Sequence, residues 1–90
     1  LEAILIDVRT PEEFAAGHLQ GAVLIDIQDP TFDARIAELD PAGQYVVYCR
    51  SGNRSAQAVK RMQSAGITNI TDFGSLENAS SKTGIAIVAG

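Results

Sequence analysis

The sequence predicts an α/β fold, an open and mostly parallel sheet with helices on both faces. Short apolar runs rich in β-branched residues recur at 3–8, 22–25, 44–48 and 68–73, as strands buried on both faces do. Between them lie segments with helix caps, i/i+3/i+4 apolar spacing and closing glycines, so strand and helix alternate as parallel crossovers require. The composition, 46% apolar and 20% charged over 90 residues, is that of a single globular domain spanning 1–90.

Ala3 to Val8, AILIDV, is the first strand. Thr10-Pro11-Glu12-Glu13 follows as a capping box: Thr10 accepts from the N3 amide, Pro11 suits N1, and Glu13 reaches back to the cap. That helix runs to about Ala16 and stops at Gly17. After the Gln20-Gly21 turn, Ala22 to Ile25 is the second strand. Asp29-Pro30 opens another turn, and Phe32, Ile36 and Leu39 line one face of a short helix broken at Asp40-Pro41-Ala42-Gly43. Gln44 to Tyr48 is the third strand and runs directly into Cys49. Ser55 to Ala65 is the next helix, capped by Ser55, with Ala58, Val59 and Met62 inward and Gly66 at its end. Thr68 to Phe73 is the fourth strand. SLENASSKTG (75–84) is weakly helical at best, and IAIV (85–88) is the last apolar run.

A formal charge of −4 argues against general binding to nucleic acid or anionic membranes. No apolar run approaches a membrane span and no signal-peptide pattern is present. The chain opens on Leu1 rather than Met, which fits a trimmed leader or a neighbouring domain and leaves the compartment open. The lone cysteine has no internal disulfide partner, and no Cys/His cluster has zinc-ligand spacing. No metal or cofactor is expected.

Three of the seven basic residues, Arg9, Arg50 and Arg54, sit at the ends of apolar runs. Two of them lie within the segment Cys49-Arg50-Ser51-Gly52-Asn53-Arg54-Ser55. In open α/β sheets, sites form at the carboxyl ends of strands, where Cys49 and the Asp7–Arg9 segment both fall. A thiol between a strand end and a helix N-terminus meets unpaired amides and a favourable dipole. With Arg50 and Arg54 nearby, these effects lower its pKa and make Cys49 a nucleophile. Gly52 lets the backbone curl so that successive N–H groups form an anion-binding nest. An isolated cysteine is more often inert core; the loop and its arginines reverse that preference. Two anionic adducts suit such a loop, a thiophosphate and a persulfide. Cysteine phosphatases space the arginine as Cys-x₅-Arg, whereas Arg54 falls one place early and Ser55 holds the sixth position. The tighter loop favours one added sulfur over a phosphate.

LIDVRTPEEFAAGHLQGA followed by VVYCRSGNRSAQAV resembles the rhodanese (thiosulfate sulfurtransferase) homology domain over most of the chain. The resemblance implies a doubly wound α/β domain. In it a cysteine becomes a persulfide and passes its sulfane sulfur to a thiophilic acceptor. On that basis Cys49 is the nucleophile, Arg50 through Arg54 form the persulfide loop, and Arg50 meets an anionic donor. Asp7 and Arg9 match the family's strand-end pair and are expected to support the loop, together with Ser55. His18, Gly21 and Ala22 match its recurring turn. The implied substrates are a small anionic donor, thiosulfate or a persulfide, and a thiol or cyanide acceptor. Gln20 stands where proline is common and Gly74-Ser75 where Gly-Gly is common, and the aromatic that often follows is missing. These departures fall on the C-terminal helix and the pocket rim. The family also usually begins with a further strand and helix before its LIDVR-like segment, so a reduced sheet or a truncated chain is expected.

Plainer roles suit the remaining residues. Arg54 is expected to hold loop carbonyls or the Asp7 carboxylate, and Asp7 to be ionised and structural. His18 reads as a hydrogen-bonding turn residue, Glu12-Glu13 as cap chemistry, and Phe14, Phe32, Tyr45 and Phe73 as packing. The principal alternative to a sulfurtransferase is a rhodanese-fold binding or regulatory module without turnover. A small cysteine phosphatase or arsenate reductase is disfavoured by the short loop and the lack of a resolving thiol.

Overall fold

The computed structural model describes residues 3–90. Its elements are β1 (Ile4–Asp7), α1 (Pro11–Ala16), β2 (His18–Leu19), β3 (Val23–Leu24) and α2 (Phe32–Ala37), then β4 (Tyr45–Cys49), α3 (Asn53–Ser64), β5 (Ile70–Ser75), α4 (Leu76–Thr83) and β6 (Ile87–Val88). Four strands form one sheet in the order β3-β1-β4-β5, and each neighbouring pair is parallel. The all-buried β4, YVVYC, lies between β1 and β5. The α/β architecture read from alternating strand and helix signals is the observed one.

Alternation along the strands sorts the core into two faces. Ile6 and Val8 with Tyr45, Val47 and Cys49 pack with Phe32 and Ile36 of α2 and with Ala58 and Met62 of α3. On the opposite face Leu5, Val46 and Tyr48 pack with Leu19, Leu76 and Ala79. Cys49 therefore belongs to the first face, and Asp7 and Tyr48 to the second.

The chain departs from the sequence reading in four places. The segment from Ser75 is a true helix. Ser75 accepts from the Asn78 amide at 3.1 Å, and the buried Leu76 and Ala79 anchor one side, so packing and a cap overcome the modest propensity of Ser and Asn. Gly84, at φ 75°, ends it in the left-handed region. The IAIV run forms β6, which pairs antiparallel with β2 through His18↔Val88 and Leu19↔Ile87. Strands this short have no periodicity to read. β5 runs to Ser75 rather than ending at Phe73, because a register irregularity opposite Val47/Tyr48 leaves Phe73 unmatched and pairs Tyr48 with Gly74. Finally, Ser55 is not the cap of α3. The helix begins at Asn53 after Gly52, which takes φ 101°, a conformation that favours glycine.

The capping box of α1 forms as read: Thr10 Oγ1 accepts from the Glu13 amide at 3.3 Å, and Glu13 accepts from the Thr10 amide at 3.1 Å. His18 Nδ1 lies 2.8 Å from the Phe14 carbonyl and its ring stacks on Phe14, a structural role. Among the described residues no helix is long and apolar enough to cross a membrane.

Candidate active site

Parallel β1, β4 and β5 all end on the same side of the sheet, so Asp7, Cys49 and Ser75 are delivered to one edge of the molecule. The N-termini of α1, α3 and α4, which follow these strands, face that edge as well. The sequence from Cys49 to Asn53 must turn from strand into helix within a few residues. Gly52 makes this possible by adopting positive φ, and its backbone comes against that of Gly74. A Cβ built on Gly52 would stand 3.6 Å from the Gly74 Cα.

The turn wraps the sulfur. The Gly52 amide donates to Cys49 Sγ at 2.9 Å, and Ser55 Oγ lies 3.5 Å from it. Ser55 Oγ is also 3.1 Å from the Gly52 carbonyl, so its one proton has two acceptors. In the thiol, the S–H donates to Ser55; in the thiolate, the Ser55 hydroxyl can turn and donate to sulfur. Burial pushes the Cys49 thiol up, but hydrogen bonds from the Ser55 side chain and from the amides of Ser55, Gly52 and Ser51 outweigh it, and the net shift is downward. Local amides and a hydroxyl are the leading groups that favour the thiolate, and the Arg54 charge interacts with Cys49 as well. Cys49 itself has no exposed surface. Arg50, Ser51 and Asn53 are exposed at the outside of the turn.

Arg54 does not reach Asp7. Its Nη1 and Nη2 donate to the two Glu13 oxygens at 2.7 and 2.8 Å, a bidentate pair. Glu13 Oε1 also accepts from the Thr10 amide and hydroxyl at 3.1 Å each. The Arg54 hydrogen bonds hold the Glu13 carboxyl at about 2, well below its usual value, against an opposing push from burial. One carboxylate thus caps α1 and secures the first turn of α3. Sequence reading misses this second role: the partners lie 41 residues apart, and a capping glutamate gives no local sign that its free lone pairs are used elsewhere.

Asp7 is occupied by Arg9. Arg9 Nε and Nη2 donate to both Asp7 oxygens at 2.6–3.1 Å, and Nη2 also reaches the Gly17 carbonyl at 2.5 Å. The guanidinium lies 5.6 Å from the Tyr48 ring centre. Burial works against the Arg9 charge and Asp7 more than restores it. The pair joins β1 to the end of α1, and no described hydrogen bond runs from it to the 50–54 turn. The hydrogen bonds of Asp7 and Arg9 thus serve the β1–α1 connection, where the sequence reading expected them at the loop.

Beside the turn lies an open cleft of about 480 Å³ whose walls include Arg9, Arg50, Ala16, Leu76, Glu77 and Ile87. Leu76 of its wall belongs to the core on the Tyr48 face. None of its apolar wall residues stands out in the sequence, because β6 and α4 do not read there as packed elements.

Donors set against one sulfur in this way favour its anionic form. Comparison with known proteins identifies the family. The profile of the Rhodanese-like domain matches residues 1–79. Thiosulfate sulfurtransferase PspE of Escherichia coli (strain K12) is 33% identical over 73 residues, 81% of this chain and 70% of that protein. A sulfurtransferase of Allochromatium vinosum is 31% identical over 88 residues, 98% of this chain and 80% of its own length. Among solved structures, a rhodanese with anions from E. coli superposes with a TM-score of 0.81 at 30% identity, covering 98% of this chain and 99% of that one. The strand-end thiol, the amide-lined turn and these likenesses together place the chain in the rhodanese-like domain family.

Proposed function

We propose that the chain is a sulfurtransferase working as one domain through a persulfide on Cys49. The observation that carries this is the amide-and-hydroxyl ring around Sγ, with Gly52 N–H at 2.9 Å and Ser55 Oγ at 3.5 Å. Cys49 thiolate attacks the outer sulfur of thiosulfate or of a donor persulfide. The Cys49–sulfur bond forms as the donor's sulfur–sulfur bond breaks, and sulfite or a thiolate leaves with the electron pair. The amides of Ser51 and Gly52 and the Ser55 hydroxyl hold the charge of Cys49–S–S⁻. Arg50, exposed beside the turn, draws in the anionic donor. Arg54 holds the turn in register through Glu13, and Asn53 and Ser51 complete its backbone. A nucleophile such as cyanide or a thiol then takes the outer sulfur, and Cys49 returns to thiolate in a ping-pong cycle.

A second reading, a rhodanese-fold binding module, draws on the complete burial of Cys49. Intact-protein mass spectrometry after incubation with thiosulfate separates the two, with Cys49→Ser in parallel. The sulfurtransferase reading expects one added sulfur, released by cyanide and absent from the mutant. A folded protein that neither thiosulfate nor an organic persulfide can load would leave only the binding module.

A further inference from the structure

Among the described hydrogen bonds, Cys49 Sγ meets neutral groups, the Gly52 amide at 2.9 Å and the Ser55 hydroxyl at 3.5 Å. The nearest charge in the chain beyond them is Arg54, which precedes Ser55 in the first turn of α3. That charge interacts with Cys49 and Asp26 as well as with Glu13. A sulfur with no exposed surface is poorly screened by water, so the balance of charge around it counts. A lone cation there would make the thiol more acidic; a cation paired with a carboxylate does so less.

Arg54 is paired in full. Its Nη1 and Nη2 donate to the two Glu13 oxygens at 2.7 and 2.8 Å. Capping α1 does not call for this arrangement. Glu13 Oε1 alone serves the Thr10 amide and hydroxyl, at 3.1 Å each, while Oε2 has Arg54 as its partner among the described hydrogen bonds. The other charges nearby are engaged elsewhere: Arg9 feels Glu13 but binds Asp7, and Asp26 accepts from the Gln28 amide. The carboxylate at contact distance from Arg54 is that of Glu13.

We propose that Glu13 is a positioning residue for sulfur transfer: by taking up the Arg54 charge it keeps the Cys49 thiolate more basic than the turn alone would leave it. The inference rests on the sulfurtransferase reading, and it acts oppositely on the two half-reactions. In loading, Cys49 thiolate bonds to the outer sulfur of thiosulfate as sulfite leaves with the electron pair. That attack quickens as the thiolate becomes more basic. In release, cyanide takes the outer sulfur and the electron pair returns to Cys49. That departure quickens as the thiolate becomes less basic. Glu13 therefore favours loading over release.

The test titrates the Cys49 thiolate by its ultraviolet absorbance in wild type, Glu13→Gln and Glu13→Asp, with Cys49→Ser as the blank. Gln keeps an acceptor for Thr10 and loses the charge; Asp keeps the charge and shortens the reach. Glu13→Gln should move the midpoint to lower pH, with about threefold more thiolate at pH values below it. Glu13→Asp should stay closer to wild type. Above both midpoints, thiosulfate loading of Glu13→Gln should slow by about 1.5-fold to 2-fold, and single-turnover release to cyanide should quicken by a similar factor. A purely structural tie predicts otherwise: a loosened turn raises the midpoint in both variants and shifts both half-reactions the same way. An unchanged or raised midpoint in Glu13→Gln, or half-reactions that shift together, would overturn the proposal. The titration needs no turnover, so wild-type protein that fails to load would instead remove the sulfurtransferase reading beneath it.

Discussion

On the face of the sheet that carries Cys49, twelve buried residues pack together under α2 and α3. The opposite face buries six and fills its remaining space with the Asp7–Arg9 ion pair and the Tyr48 hydroxyl, which accepts from the Leu19 amide at 3.1 Å. α1 contributes no buried residue to that side. The thick face anchors Cys49 among buried residues of β4 and α3. The thin face leaves room for a cleft walled by Leu76 and Ile87. The unequal faces let so small a chain hold a buried thiol beside an open pocket.

The sharpest way to break this comparison is to damage each face in turn. Phe32→Ala empties the thick face and should cost about 3–5 kcal/mol. Arg9→Ala leaves Asp7 buried and unpaired, and should cost a similar amount, about 3–5 kcal/mol. Urea unfolding of both variants checks the pair. Comparable losses would mean that the ion pair replaces apolar core on the thin face; a loss under about 1 kcal/mol for Arg9→Ala would mean that this face is marginal to stability.

The next effect concerns reactivity. Ser55→Ala removes the hydroxyl that stabilises the Cys49 thiolate, so the alkylation midpoint should move to higher pH. Reaction with iodoacetamide near pH 7 should slow about tenfold, in step with a thiolate population about tenfold smaller. Equal midpoints in the two proteins would assign the lowered pKa to the amides alone. The smallest effect is at the hinge between the faces. Glu13→Gln weakens the Arg54 pair and should cost about 1 kcal/mol, as for a partly exposed pair. The folded Glu13 carboxyl lies at about 2 against an ordinary 4.5, so this stabilisation is present above pH 4.5 and fades as pH falls toward 2. Stability curves of wild type and Glu13→Gln should therefore converge on acidification. Parallel curves over that interval would contradict the role assigned to the pair.

The legibility of the molecule follows the range of its interactions. The strand runs, the Thr10 capping box and the Cys49–Ser55 turn are local, and residue type with spacing discloses them. The partner of Arg54 is hidden from such reading, because Asp7 is the carboxylate that reading offers until Arg9 is seen to occupy it. α4 reads weakly because its Ser and Asn residues argue against a helix, while the burial of Leu76 and Ala79 depends on β5 and β4. The β2–β6 ribbon leaves only the unpaired IAIV run in the sequence, because two-residue strands are specified by their partners.

The sealed position of Cys49 also sets a kinetic limit. A sulfur with no exposed surface meets a reagent only while the surrounding turn is open, so opening acts as a gate in series with the chemistry. When reclosure outpaces reaction, rates scale with reagent concentration. When reagent is abundant, they level off at the opening rate itself. A thiol label can therefore serve as a clock for the turn, and its plateau is the opening rate of the turn.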